Sequence, residues 1–322
     1  MKNCIDLCAR FFKNNSIFAA VLILFLFGSI CLPNFLSATN ISAVLNQYSI
    51  IGMIAVGQLL IIITGGIDLS QGAMIGLFSV IGALLMQRTD SVLALVIATA
   101  GIVLLGVLYG LLISSLRMPA FIVTFAIAQL AKGIALVLTN AKPITIENKA
   151  FTDLAFMKIS LIPLSAVIWI ALCLLVAYML KYRRLGKYLY AVGSNEEAAR
   201  LSGIKTNSVK LNAYILASIF VSVASIFWMA RLTSGQPTGG RDYELESIAA
   251  VVVGGASLSG GKGTIFGAIA GTLLFGIITS VLNFLGVHPF WQGTAKGVIM
   301  LIAVVIGQTQ SMKKYKLEEA RI

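Results

Sequence analysis

Charge is what this 322-residue chain has least of. Only 11% of its residues are charged, just 12 of them are acids, and there is one histidine, His288. A soluble chain of this size carries roughly a quarter charged residues. With 58% hydrophobic residues and a mean hydropathy of +0.95, the sequence reads as an integral membrane protein. Each shortage excludes a class of chemistry. No acid pair sits in the apolar runs, and His288, in a turn beside Pro289, reads as structural with no Ser or Cys partner, so catalysis is unsupported. A proton-coupled carrier needs a relay of buried ionisable groups, and these are nearly absent, so uphill transport would draw its energy from elsewhere. Of four cysteines, Cys31 and Cys173 fall in apolar runs, and Cys4-x3-Cys8 lacks the second pair a zinc site needs. No metal or cofactor is expected.

Strict alternation of polar and apolar residues is also missing, as in Leu59-Leu60-Ile61-Ile62-Ile63. A transmembrane β-barrel requires that alternation, so the expected fold is all-helical. A helix needs ~20 apolar residues to cross the bilayer core, and about ten such runs can be placed. They cover about 17–32, 45–63, 72–86, 92–116, 120–138, 161–180, 211–229, 247–253, 264–285 and 290–306. The eighth is short enough to be a half-helix. The net charge of +12 points to membrane orientation and not to nucleic acid, because the basic residues cluster between spans. With both termini cytoplasmic, inside segments hold sixteen of the 24 Lys and Arg residues. The basic segment 2–13 before the first span reads as an uncleaved signal-anchor.

The longest strongly polar run is Lys181 to Lys210, with seven Lys or Arg residues. Inside it, Asn195-Glu196-Glu197-Ala198-Ala199-Arg200-Leu201-Ser202-Gly203 reads as one short capped helix. Ser194 or Asn195 caps it, acids fill the first turn, Arg200 lies near its end and Gly203 stops it. The plainer reading is a solvated connecting loop.

One internal echo stands out. Gly65-Gly66-Ile67-Asp68-Leu69-Ser70-Gln71-Gly72 aligns with Gly254-Gly255-Ala256-Ser257-Leu258-Ser259-Gly260-Gly261 as GGxxLSxG at an offset of 189 residues. Glycine-interrupted spans in repeated positions point to a transport pathway, although coincidence among Gly-rich helices is the bland alternative. Asp68 reads either as lining that path or as capping the following span with Ser70. Ser257 and Ser259 carry the same two readings. Asn46, Gln58 and Gln129 could hydrogen-bond a neighbouring helix or a polar solute. Lys132, Arg231 and Lys296 read mainly as snorkelling residues. The run Gly255 to Gly263 fails as a phosphate loop, because Ala256 falls on the first Gly and Gly263 on the Ser/Thr position. Small residues four apart, at Gly72 and Gly76 and at Gly263, Gly267 and Gly271, suggest close helix packing.

Taken together, GGIDLSQG at 65–72, AVGSNEEAARLSGI at 191–204, YELESIAAVVVGGASLSGGKGT at 243–264 and QGTAKGVIMLIAV at 292–304 resemble the permease subunits of bacterial ABC importers for monosaccharides, the ribose/xylose/galactoside/autoinducer-2 type. Gln71 departs from relatives that carry Val there. The resemblance implies a single transmembrane permease domain over 1–322 in the inner membrane, with 181–210 as its cytoplasmic coupling loop. It implies a second permease subunit, a separate ATPase subunit, a solute-binding protein and a sugar as solute. The segment Gly193, Ser194, Asn195, Glu196, Glu197, Ala198, Ala199, Arg200, Ser202 and Gly203 would dock on the ATPase. Arg241, Tyr243 and Glu244, with the segment 139–160, would face the binding protein. The pathway would involve Asn46, Gln58, Gly65, Gly66, Asp68, Ser70, Gly254, Gly255, Ser257 and Ser259. An ion-coupled secondary sugar carrier and a non-transporting scaffold are the alternatives. The polar loop helix favours the ABC reading over both.

Overall fold

The computed structural model describes residues 16–298 and residue 301. Its helices of six residues or more are α1 (Ser16–Cys31), α2 (Ala38–Ile63), α3 (Gln71–Met86), α4 (Ser91–Ser114) and α5 (Ala120–Thr139). They continue as α6 (Leu164–Tyr182), α7 (Arg184–Ser194), α8 (Glu196–Leu201), α9 (Thr206–Leu232), α10 (Tyr243–Val253) and α11 (Ile265–Phe284). A further helix begins at 289 and continues to the end of the described stretch at 298. Strands among the described residues are two-residue pairs only. Ile144–Thr145 pairs with Ser234–Gly235, and Lys158–Ile159 with Ile162–Pro163.

Six helices (α2, α4, α5, α6, α9 and α11) are long and apolar enough to cross a membrane, and α1 and α3 are shorter apolar helices. The expected count of about ten is therefore not reached among the described residues. The eighth run forms α10, which at 11 residues spans only about 16 Å. The end of the tenth run, beyond 298 apart from residue 301, and both basic termini lie outside the described residues. Two boundaries move for clear reasons. The second span begins at Ala38, seven residues early, because Ser37 caps it by accepting the Asn40 amide. The seventh begins at Thr206, since polar residues there continue the helix into the basic loop.

The bundle is built around α2. From Tyr48 to Thr64 every residue of this helix and its cap is buried. A helix apolar all round belongs at the centre of a bundle, and α6, α9, α10 and α11 surround it. The outer helices show the complementary pattern. On α4, Val92, Leu93, Val96, Ile97, Leu104 and Leu108 are exposed while Ala94, Ala98 and Ile102 are fully buried. That outward apolar face is the surface expected against lipid.

Polar side chains inside the bundle are used as ties. Asn46 donates to the Ala155 carbonyl and accepts from Ser165, which fixes the segment before α6 onto α2. Arg231 donates to Gln47 at 3.4 Å. Lys296 does not reach for the interface as expected; it pairs with Glu246 on α10 at 2.6 Å. Tyr48 donates to the same carboxylate at 3.1 Å and shares a hydrogen bond with Thr279. With side chains only 22% and 12% exposed, removal of either partner leaves the other charge largely buried with only Tyr48 beside it.

Loss of one member of such a pair costs on the order of 3–5 kcal/mol. Glu246→Gln and Lys296→Met should each lower thermal stability in detergent strongly. Thermal melts of the double variant should show a smaller loss than the two single losses added.

Candidate functional site

The echo motifs end helices in two different ways. Thr64 caps α2, and Gly65 takes a left-handed conformation (φ 81°) that an L side chain resists. Residues 64–70 are then non-helical until α3 begins. In the second copy Gly255, Gly260 and Gly261 are left-handed, and the loop closes on itself through Ser257 N to the Lys262 carbonyl. Ser259 N reaches Ser257 Oγ at 3.3 Å and Gly260 N reaches the Ser257 carbonyl.

The two copies meet. Gly261 N donates to the Ile63 carbonyl at 2.9 Å, a terminal carbonyl that α2 itself cannot satisfy. The Ser259 carbonyl lies 3.6 Å from where a Cβ of Gly65 would stand. The C-terminus of α7 is wedged between them. A Cβ on Gly193 would fall on the Ile63 carbonyl and lie 2.6 Å from Gly261 N. A Cβ on Gly260 would lie 2.7 Å from the Gly193 carbonyl, and one on Gly261 would lie 2.6 Å from Ser194 Oγ. Tyr190, one turn earlier on α7, donates to the Gly263 carbonyl at 2.7 Å. Three backbone segments touch without side chains between them, and glycine is what permits it.

From this clasp α8 projects directly. Asn195 caps it by accepting the Ala198 amide at 2.9 Å, and Gly203 (φ 82°) ends it, as the sequence predicts. Ala199 is its buried face. Arg200 forms two hydrogen bonds to Glu197, and Glu196 accepts from Lys210 of α9. The Arg200 hydrogen bonds hold the Glu197 carboxyl below its ordinary pKa. The charges on α8 are thus satisfied within the chain. Sequence reasoning missed Leu201, which is 76% exposed at the helix end. The signal was available: an apolar residue in the last turn of an otherwise polar helix. Behind α8 lies a cavity of about 410 Å³ whose lining includes Gly65, Gly66, Arg117, Glu197, Lys210 and Tyr214.

Asp68 is not the cap of α3. Ser70 holds that position and makes no side-chain cap bond. Asp68 is fully buried and accepts from Ser70 N at 2.8 Å, Ser70 Oγ at 2.6 Å and the Tyr109 hydroxyl of α4 at 3.0 Å. It fixes the non-helical stretch to the bundle wall. Gln58 is fully buried on α2, and its amide has no hydrogen-bond partner among the described residues.

The glycine stripes are used asymmetrically. On α11, Gly267 and Gly271 do admit a helix: their missing side chains leave room for the backbone of α10 at Gly254 and Ala250. On α3, the stripe admits a non-helical segment instead. Gly235 faces Ser79 and Ala83, Gly76 faces Pro237 and Gly239, and Gly72 faces Gly240 and Glu244. Gln236 N to Ser79 Oγ at 3.0 Å fastens this segment. It therefore runs down α3 towards its start, so α3 and α10 begin beside each other. Arg241, Tyr243 and Glu244 are placed there, beside the start of α3.

These features together define a transporter permease. The sequence matches the family described as branched-chain amino acid transport system / permease component over residues 40–304, and the chain belongs to it. It is 39% identical over 295 residues to the ribose import permease protein RbsC of Escherichia coli (strain K12), covering 89% of this chain and 91% of that one. The ribose import permease protein RbsC of Bacillus subtilis (strain 168) is 39% identical over 297 residues, 91% and 92% of the two chains. The L-arabinose transport system permease protein AraH of Escherichia coli (strain K12) is 33% identical over 295 residues, 91% and 89%. No solved structure matches.

The clasp makes a sharp prediction. Gly193→Ala should force α7 away from Ile63 and Gly261, lowering transport at least tenfold. Gly203→Ala, with open space around it, should cost only about 1 kcal/mol of local strain. Parallel transport assays on both variants at matched membrane expression test this.

Proposed function

We infer that this chain is the membrane-spanning permease subunit of an ATP-binding-cassette importer that carries a monosaccharide, ribose or a related sugar, across the bacterial inner membrane. Similarity over nearly the whole length to ribose and arabinose permeases supports the solute class. The observation that carries the mechanism is α8: a short, capped, exposed helix whose preceding residues touch the ends of two helices that bound the interior. Such a helix serves to receive a push from a partner. The partner is a cytoplasmic ATPase subunit, with hydrolysis on that subunit, and the basic residues around α8 support its lying on that side of the membrane.

The assembly in this reading comprises two permease chains, two ATPase domains and a solute-binding protein on the outer side. Both chain termini are cytoplasmic. ATP-driven closure shifts α8, and the clasp carries the shift to the 64–70 and 254–264 segments. Differential docking of α8 in the two states supplies the coupling. Leu201 is the apolar anchor of that docking, with Glu196, Glu197 and Arg200 orienting it. The similarity to ribose and arabinose import permeases lends an ion-coupled carrier no support.

Reconstitution decides the matter. Vesicles holding this chain, its genomically neighbouring ATPase and the binding protein should accumulate labelled ribose or another monosaccharide only when ATP is inside. Accumulation without ATP that collapses with an ion gradient would contradict the reading. Within the assembled system, Leu201→Asp should reduce co-purification of the ATPase subunit at least tenfold while leaving the permease folded, as judged by its melting curve.

A further inference from the structure

The exposed charges beside the start of α10 do not fit a lipid-facing surface. Arg241 and Asp242 form an ion pair at 3.6 Å with side chains 86% and 72% exposed. They follow Gly240, which lies against Gly72. Taking the polar turn 87–90 that follows α3 as the membrane surface, Gly72 lies about 20 Å along the helix from it, well into a bilayer core of about 30 Å. Ionised side chains at that depth face water or protein, not hydrocarbon. On the neighbouring α5, Phe125, Gln129 and Lys132 fall at i, i+4 and i+7, one face of the helix, and all three are exposed.

These groups surround a cavity of about 460 Å³, within the usual size range of ligand pockets. Its lining includes Phe125, Gln129, Lys132, Thr238, Arg241 and Glu244. Glu244 Oε2 is buried and has no hydrogen-bond partner among the described residues. That oxygen is packed against Gly72, and leaving it unpaired is costly, so a donor that reaches Glu244 from the cavity it lines would relieve the cost. The two cations, Lys132 and Arg241, balance the two acids, Asp242 and Glu244. A neutral ligand fits that balance better than a charged one. The carboxylate and amide match hydroxyl groups, and the Phe125 ring offers an apolar face to a sugar's C–H surface.

We propose that this cavity is a water-filled station on the transport path that holds a neutral polyhydroxylated solute through Glu244 and Gln129. The solute class rests on the sugar-importer reading above; the aqueous path does not. The walls come from α5 on one side and the segment 237–245 on the other, and the ends of α3 and α10 close its floor. Conversion of the station between access states follows movement of α10, whose far end at Gly254 adjoins the clasp.

Two arms test this on the full complex in membranes. In a background with the native cysteines replaced, Arg241→Cys and Gln129→Cys should react with a charged, water-soluble thiol reagent. Val96→Cys on the lipid face of α4 should not. If both pathway cysteines are as unreactive as Val96→Cys, the aqueous station is overturned. In the second arm, Glu244→Gln and Gln129→Leu should each lower uptake of the transported monosaccharide at least tenfold. Saturating binding protein should not restore it, and ATPase co-purification should be retained. Unchanged uptake in both variants would overturn the solute contact. Reactive cysteines in a complex that moves no monosaccharide would support the path and overturn the sugar as its occupant.

Discussion

A helix that stops inside a membrane protein leaves carbonyls that water cannot reach, and the hydrogen bond from Gly261 N to the Ile63 carbonyl answers that need here. The rest of the arrangement depends on it. For this bond to form, the second loop must come up against the end of α2, and left-handed glycines at 260 and 261 allow the approach. For α7 to join the same point, residue 193 must lack a side chain. One buried carbonyl thus fixes the relative positions of the central helix, the 254–264 loop and helices α7 and α8. Because α8 starts three residues beyond Gly193, any displacement of it acts on this point with almost no slack.

The opposite end of the interior is organised by the same device with a different outcome. Glycines on α3 give room to a non-helical segment, so residues 235–240 enter the bundle against helix backbone and not against side chains. This brings the beginnings of α3 and α10 together and leaves charged groups facing an open space at depth. The clasp and the station are linked by α10 itself, an 11-residue helix with Glu244 at one end and Gly254 just past the other. Its position is held by the Lys296–Glu246 pair and by contact with α11. A short rod between the clasp and a polar cavity can couple the two without any long-range signal.

Much of this was legible in the sequence where local rules decide. The α8 helix could be read residue by residue, because caps, first-turn acids and a terminal glycine act within one turn. The membrane helices could be read from length and hydropathy, and the two GGxxLSxG motifs marked where helices break. What local rules leave open is partner choice. The spacing of Gly72 and Gly76 states that something approaches closely, yet helix and non-helical backbone satisfy it equally. Asp68 has the composition of a cap, and only the tertiary position of Tyr109 and the turn at Ser70 divert its carboxylate to them. Lys296 looked like a snorkelling residue because its partner, Glu246, lies fifty residues away. Leu201 is a lone apolar residue among polar neighbours, and only the helix geometry shows that it is exposed at the end of α8.

The central claim is that the two broken-helix ends and the α7–α8 junction move as one body. The most direct measurement is the distance between spin labels at Lys187 on α7 and Leu258, both exposed, in the complete complex with and without bound nucleotide. An unchanged distance between them is expected, while the distance from Leu258 to a label at Val137, on the exposed face of α5, shifts by several ångströms. A nucleotide-dependent change between Lys187 and Leu258 would contradict the claim, because the clasp would then open as the ATPase turns over.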